Sequence, residues 1–200
     1  MEGEFSSPKG NTFYHYSDLH VLNPQSRQFT KIQTSGSSPS ARSGHRMIFW
    51  RHYLIMFGGF HDTSSITRYH NDLWIFDTVE EKWREIKHVS SRCPEPRSGF
   101  TLLPSNDGAV LIGGYAKVKG PAGKLRGVIY NDIWALKMNM DFSQIRWERR
   151  RKAPFAPSAR CGVSMAPHKG RGILFGGVFD QEESEEDLSS IFYNDLYRPS

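Results

Sequence analysis

Three arginines and three aspartates recur at fixed places in this 200-residue sequence, and they are its best candidates for binding chemistry. Each arginine stands two residues before a glycine that leads into an apolar run: Arg42, Arg97 and Arg160. Each aspartate follows an asparagine and precedes an apolar and an aromatic residue: Asp72, Asp132 and Asp195. A guanidinium presents a planar fork of donors that matches a carboxylate. Two interpretations follow: an Arg–Asp or Arg–backbone contact inside each repeat, or a ring of arginines at the mouth of a ligand pocket.

The histidines and cysteines do not form a catalytic or metal-binding pattern. The eight histidines are scattered, without a His-Glu-x-x-His segment or two pairs at ligand spacing. His45 falls in a predicted innermost strand, where a structural role is favoured over a ligand role. Cys93 and Cys161 are interpreted as ordinary thiols, and the sequence has no Gly-x-Ser-x-Gly turn or phosphate-binding loop. We therefore expect no enzymatic activity, no cofactor and no bound metal.

Composition limits the class of protein. The charge balance is 26 − 21 = +5, and 38% of the residues are hydrophobic, which is enough to bury a core. No apolar stretch approaches the ~18 residues of a membrane span. The first six residues lack the basic flank and apolar run of a secretory signal. These observations predict a soluble protein of the cytoplasm, with the nucleus as an alternative.

Glycine pairs divide the chain into repeats. They lie at 58–59, 113–114 and 176–177, each after a short apolar run, at steps of 55 and 63 residues. The repeat around the first pair predicts four strands at 42–50, 53–57, 73–76 and 82–86, with a variable loop after the glycines. Because glycine has no Cβ, an aromatic side chain can lie against it, and Trp74 and Trp134 are the candidates for that contact. No segment has a helical period, so the sequence predicts an all-β fold.

The glycine pairs, the downstream aromatic residues such as Trp74 and Trp83, and the Arg-Ser-Gly openings resemble kelch repeats. This resemblance implies a β-propeller segment made of two complete four-stranded blades and two partial blades, in an incomplete ring. The predicted bounds are 1–32 (repeat 1, partial), 39–87 (repeat 2), 96–149 (repeat 3) and 157–200 (repeat 4, partial). We expect the chain to be a fragment of a longer propeller. The alternative is that the two partial blades pair with each other, within or between chains.

The resemblance also implies a function, which is to bind a protein or peptide as a scaffold or adaptor. In peptide-binding kelch propellers the ligand contacts the arginines that open the innermost strands and the residues just after the glycine pairs. Transferred by position, the partner-binding candidates are Arg42, Ser43, Phe60, His61, Arg97, Ser98, Tyr115 and Arg160. A role as a ubiquitin-ligase component is implied in the same way, although the sequence shows no BTB or cullin-box-like segment. The alternative from another class is an enzyme of the oxidase or isomerase type on the propeller face.

The loops after the glycine pairs differ in charge between repeats. The loop of repeat 3 is basic (Lys117, Lys119, Lys124 and Arg126), whereas that of repeat 4 is acidic (Asp180, Glu182, Glu183, Glu185, Glu186 and Asp187). Exposure to solvent, or mutual neutralisation of the two loops, would explain the charges of both loops. The alternative is that the basic and acidic loops form a rim with two oppositely charged sides, here called the bipolar rim, which orients a charged peptide. A second basic run, Arg146, Arg149, Arg150, Arg151 and Lys152, allows an RNA-associated alternative. Nucleic acid is nevertheless not the expected partner.

Overall fold

The structure is a computed structural model that describes residues 5–6, 13–63, 66–87, 92–120, 123–154, 156–182 and 188–197. These residues form antiparallel β-strands and turns, without an α-helix among them. The all-β prediction is therefore confirmed.

Repeat 1 contributes two separate pairs of strands. They are β1 (Phe5–Ser6) with β2 (Phe13–Tyr14), and β3 (Leu19–Asn23) with β4 (Gln28–Ile32). Asn23 accepts the backbone N–H groups of Gln25 and Ser26, which closes the turn between β3 and β4.

Repeats 2 and 3 each form a four-stranded sheet plus a two-stranded hairpin. The strands of repeat 2 are β5 (Arg46–Trp50), β6 (Tyr53–Phe57), β7 (Phe60–Asp62), β8 (Thr67–Tyr69), β9 (Leu73–Asp77) and β10 (Lys82–Ile86). Those of repeat 3 are β11 (Thr101–Ser105), β12 (Gly108–Ile112), β13 (Tyr115–Lys119), β14 (Leu125–Ile129), β15 (Ile133–Met138) and β16 (Ile145–Arg150). The sheets run in the orders β5-β6-β9-β10 and β11-β12-β15-β16, and the hairpins are β7–β8 and β13–β14.

Repeat 4 follows the same plan over its described residues. Its strands are β17 (Ser164–His168), β18 (Arg171–Phe175), β19 (Val178–Glu182), β20 (Leu188–Phe192) and β21 (Leu196–Tyr197). The first two and the last form a sheet in the order β17-β18-β21, and β19–β20 is the hairpin. The innermost strands are neighbours in space, because β11 lies between β5 and β17. Backbone hydrogen bonds from Gly99 N to Gly44 O (3.3 Å) and from Gly162 N to Gly99 O (3.0 Å) join the same three repeats.

The segments predicted as variable loops are β-hairpins in the structure. In repeat 3 the sequence Tyr115–Lys119 alternates large and small side chains, and Ala116 is buried while Lys117 and Lys119 are exposed. That alternation is typical of a strand with one covered face. The prediction of loops was wrong because these charged segments keep the side-chain period of a strand and pair as hairpins.

The innermost strand of repeat 2 is shorter than predicted. It begins at Arg46, not at Arg42, because the preceding residues pair with the hairpin instead of the sheet. Ser43 and Phe60 exchange two backbone hydrogen bonds of 2.9 and 2.8 Å, and Gly44 turns the chain with a φ of 64°. The same bridge joins Ser98 to Tyr115 and Cys161 to Val178. This bridge fixes the hairpin of each repeat onto its opening segment.

The main hydrophobic core lies between the sheets of repeats 2 and 3. Ile55, Phe57 and Leu73 from one sheet meet Leu111 and Leu136 from the other, all without solvent exposure. Burial on this scale is the main stabilising term of the fold. The interface between neighbouring sheets, and not any single sheet, therefore holds the described chain together.

The aromatic ring against the first glycine pair comes from the next repeat. A Cβ on Gly58, whose φ is +67°, would stand 2.8 Å from the Arg97 carbonyl oxygen and 2.8 Å from the Phe100 ring. Trp74 and Trp134 were predicted to make this contact, but the atoms nearest to a Cβ on the glycines of the first two pairs belong to other residues. Trp74 donates its indole N–H to Asp72 at 2.8 Å. The glycine is required because a neighbouring sheet packs directly on its backbone.

Candidate functional site

Each recurring arginine is buried and holds the recurring aspartate of its own repeat. In repeat 2, Arg42 donates to both carboxylate oxygens of Asp72, at 2.5 and 2.9 Å. Its other three N–H groups donate to the Gly58 carbonyl and to the carbonyl and hydroxyl of Ser40. All five donors of the guanidinium are therefore occupied inside the repeat.

Repeats 3 and 4 reproduce this arrangement. Arg97 holds Asp132 at 2.6 and 3.1 Å, and Arg160 holds Asp195 at 2.5 and 3.2 Å. Relative exposure is 0% for Arg97, 4% for Arg42 and 6% for Arg160. The Arg–Asp interpretation is thus confirmed. Arg42 also lines a cavity of about 470 Å³, so a role of the arginines in partner binding stays a prediction.

An aromatic ring two residues before the aspartate covers the guanidinium. The Arg97 guanidinium carbon lies 3.8 Å from the centre of the Tyr130 ring, and that of Arg160 lies 3.7 Å from the Tyr193 ring. His70 takes this position in repeat 2, and its buried Nε2 has no hydrogen-bond partner among the described residues. Burial first, and then the charge of Arg42, lowers the pKa of His70 to about 4. The ring therefore stays neutral beside its arginine.

The aspartates are held in their ionised form. Burial raises the pKa of Asp72, but the hydrogen bonds and charge of Arg42 lower it by more, so its net pKa lies below the ordinary value. The same opposing causes, with Arg97 as the donor, lower the pKa of Asp132. For Asp195 the Arg160 hydrogen bond is the largest cause of the lowered pKa. Each aspartate therefore stays charged opposite its arginine at neutral pH.

The hairpins of successive repeats form a row on one face. β8 contacts β13, and β14 contacts β19. Aromatic rings run along this row: Phe60 lies 5.9 Å from Tyr69, and Tyr69 lies 6.3 Å from Tyr115 between ring centres. Burial and the neighbouring Tyr115 raise the pKa of Tyr69 to about 12, and a hydrogen bond with the Lys117 backbone lowers it in part. Tyr69 thus joins two hairpins into one continuous surface, which we call the hairpin row.

His15 attaches the segment after β2 to the hairpin row. Its Nδ1 lies 2.8 Å from the Ser43 hydroxyl, and its Nε2 accepts the Asp62 backbone N–H at 2.9 Å. Its ring lies 4.7 Å from the His61 ring and 5.6 Å from the Phe60 ring. His61 in turn contacts the Ala41 carbonyl at 3.0 Å.

The structure separates the partner-binding candidates into three groups. Phe60, His61 and Tyr115 lie half-buried on the hairpin row, whereas Ser43 and Ser98 are buried beneath it. Arg42, Arg97 and Arg160 are also buried, in their ion pairs. The sequence did not point to His15 or Tyr69. The covering residues His70, Tyr130 and Tyr193 could have been found, because all three stand two residues before a recurring aspartate.

The charged side chains that are described as fully exposed on the row are positive, whereas Asp62 on β7 and Asp180 on β19 are half-buried. Lys117 and Lys119 are exposed on one face of the β13–β14 hairpin, whereas Arg126, which pairs with Val118, is exposed on the other face. Exposed apolar side chains stand nearby, with Ile66 at 67% and Leu125 at 58% relative exposure. Of the acidic loop of repeat 4, the residues from 183 to 187 lie outside the described residues, so the bipolar rim stays a prediction.

The second basic run lies on the outer strand of repeat 3. Glu148 accepts from Arg146 at 2.8 Å and from Arg150 at 2.9 Å, so an internal carboxylate partly neutralises this run.

Among the described residues no cluster of three His, Cys, Asp or Glu side chains could hold a metal ion. Nor does that part of the chain contain a helix long and apolar enough to cross a membrane.

A family model described as the KLHDC2/KLHL20/DRC7 Kelch-repeats domain matches residues 8–177. Tip elongation aberrant protein 1 of Schizosaccharomyces pombe is 28% identical over 182 residues, which cover 90% of this chain and 14% of that protein. F-box/kelch-repeat protein At1g51550 of Arabidopsis thaliana is 28% identical over 181 residues, covering 81% of this chain and 36% of that protein. The chain therefore spans a minor part of the length of these relatives.

The solved structure of YjhT superposes on 98% of this chain and 63% of its own, with a TM-score of 0.71 and 15% sequence identity. That likeness concerns the fold alone. Together with the neighbouring innermost strands, it makes the described chain a β-propeller segment with an incomplete ring.

Proposed function

This chain belongs to the KLHDC2/KLHL20/DRC7 Kelch-repeats domain family, and on that premise we propose that it binds a protein or peptide partner through the hairpin row. The blades would act as a rigid scaffold, and no catalytic step would be involved. One observation carries the proposal: hairpins of adjacent repeats contact each other on one face and present exposed basic and apolar side chains together. Rigid sheets that display variable segments on one face are a common plan for binding.

The chemistry of the row favours an acidic partner with apolar side chains. Lys117, Lys119 and Arg126 supply positive charge, while Ile66 and Leu125 supply exposed apolar surface. The half-buried rings of Phe60 and Tyr115 add aromatic contact area to this surface. Charge of one sign accelerates the encounter with an oppositely charged partner, whereas apolar and aromatic contacts hold it.

The test uses peptides selected from a displayed random library on the intact chain. A variant with Lys117, Lys119, Lys124 and Arg126 replaced by serine should associate with the selected acidic peptides about tenfold more slowly at low salt. The matched control replaces Arg146, Arg149, Arg150 and Arg151 by serine, which removes the same charge from another surface and should leave the rate nearly unchanged. Equal slowing in both variants would refute the proposed surface.

Three finer statements belong to the same proposal. A ubiquitin-ligase adaptor role is supported only by the resemblance and by a relative whose name joins an F-box to kelch repeats. Within the family, kelch domain-containing protein 4 is the proposed counterpart, on the strength of residues 13–19, 44–47, 175–178 with the acidic loop that follows, and 192–197. Cytoplasmic location, with the nucleus as the alternative, completes the proposal.

A further inference from the structure

The third residue after each glycine pair lies opposite a residue of the other strand in its hairpin. In repeat 2 this residue is Asp62, whose carboxylate accepts the Thr67 hydroxyl at 2.7 Å. In repeat 4 it is Asp180, whose carboxylate accepts the Ser190 hydroxyl at 2.6 Å. Both carboxylates therefore have a hydrogen-bond partner inside their own hairpin.

Repeat 3 has a lysine at this position and a glycine opposite it. Lys117 pairs in register with Gly127, which has no side chain, so the facing residue supplies no partner for the ammonium group. Lys119 follows two residues later on the same face, opposite Leu125. Both lysines are exposed, and neither forms a salt bridge within the described part of the chain. This departure from the repeat pattern indicates that the two lysines are available to another molecule.

The two lysines lie on the more open face of the β13–β14 hairpin. Tyr115 stands before them on that face and is half-buried, and Leu125 is 58% exposed. The other face contains Ala116, which is 1% exposed, so the chain covers the hairpin from that side. Arg126 belongs to that second face, because it lies opposite Val118. We call Tyr115, Lys117, Lys119 and Leu125 the open face.

The outer edge of β13 is already occupied beside the open face. Tyr115 and Ser98 exchange two backbone hydrogen bonds of 2.8 Å along this edge. Two residues further, on the same edge, the Lys117 backbone hydrogen-bonds to the Tyr69 hydroxyl of repeat 2. A partner at this place is therefore held by side chains on the face, and not by addition of a strand to the edge.

We propose that the open face binds an extended acidic segment of a partner protein, with two carboxylates two residues apart and an apolar residue two positions outside each of them. This inference rests on the proposed function and names the partner that the hairpin row recognises. Side chains on one face of a strand recur about every 7 Å, so two such carboxylates meet Lys117 and Lys119. The apolar residues of the segment then cover Tyr115 and Leu125.

The probe is the peptide acetyl-Leu-Ser-Glu-Ser-Glu-Ser-Leu-amide, which carries an uncharged fluorophore and no terminal charge. It is titrated with the full chain by fluorescence anisotropy in about 0.15 M salt, where the Debye length is about 8 Å. We expect saturable binding that weakens at least about threefold with Lys117→Glu or Lys119→Glu. The matched control is Arg126→Glu, the same change of charge on the other face of the same hairpin. It should change the dissociation constant less than twofold.

Reciprocal charge reversal tests the register of the segment. Replacing one glutamate of the peptide by lysine should restore binding to the Lys117→Glu protein, and replacing the other should restore binding to the Lys119→Glu protein. This rescue also shows that each variant is folded. Peptides with the two glutamates adjacent, or four residues apart as on one side of a helix, should bind at least about threefold more weakly.

Several results would overturn the inference. They are the absence of binding, equal weakening by Arg126→Glu, a failure of both reciprocal rescues, and equal binding of the three glutamate spacings. Dimerisation of the chain, or binding to phosphatidylserine vesicles, that Lys117→Glu abolishes while the peptide does not bind would assign the open face to a second copy or to a membrane. If this peptide fails while the fourfold serine variant still slows association of library-selected peptides, the proposed function stands and only this inference fails.

Discussion

The three Arg–Asp pairs have the same geometry but different burial, and this difference allows a sharp prediction about stability. Relative side-chain exposure of the aspartate is 11% for Asp132, 24% for Asp72 and 38% for Asp195. The arginine of the first pair is fully buried. Replacing Asp132 by asparagine leaves that arginine without its counter-charge, and also weakens the acceptor for the Trp134 indole.

Loss of one partner of a buried pair costs about 3–5 kcal/mol. Asparagine keeps one oxygen acceptor, so we expect a loss of about 3 kcal/mol for Asp132→Asn, or about 6–12 °C in unfolding temperature at this chain length. Asp72→Asn should cost less, and Asp195→Asn least, because water can solvate the partners that they expose.

The assay is urea unfolding at neutral pH, followed by far-UV circular dichroism so that changes in Trp134 fluorescence do not interfere. Ser143→Ala in the β15–β16 turn serves as a control at an exposed polar position. A loss below about 1 kcal/mol for Asp132→Asn, or equal losses for the three variants, would refute the argument that burial sets the strength of these pairs.

Other perturbations follow from the same contacts. His70→Tyr should stabilise the chain by about 1 kcal/mol, because tyrosine covers the guanidinium in the two other repeats; a lower urea midpoint would contradict this. Since the pKa of His70 is about 4 when folded and 6.5 when unfolded, the unfolded chain takes up the proton first. Stability should therefore be full above pH 6.5 and fall by about 1–2 kcal/mol as pH drops toward 4, a decline that His70→Tyr should reduce in a pH series of urea titrations. Gly58→Ala should destabilise much more than Gly36→Ala when the two are compared by thermal unfolding. Both have a positive φ, but only Gly58 packs against a neighbouring backbone and ring, whereas a Cβ on Gly36 meets nothing within 4 Å.

The repeat pattern predicted most of the fold, because each four-stranded sheet is built from local signals. Short apolar runs, the glycine pairs and the turn at 106–107 all lie within a few residues of the strands that they define. The observed strands β6 and β10 match the predicted segments 53–57 and 82–86. An Arg–Asp contact within one repeat was one of the two interpretations that the sequence allowed, and the structure confirms it in repeats 2, 3 and 4.

Long-range packing decided what the local pattern could not. Phe100 rather than Trp74 covers Gly58, because this glycine lies at an interface between two repeats. The sequence of a single repeat does not predict how the next repeat packs on it. The hairpins join into a row through His15 and Tyr69, which are unremarkable residues until neighbouring blades bring them together. The sequence could not decide whether the arginines bind aspartates or a ligand, and the fold shows each of them buried in an ion pair with the aspartate of its own repeat. Sequence thus determined the sheets through short-range hydrogen bonding and side-chain period, while tertiary contacts between sheets decided which side chains remain available to a partner.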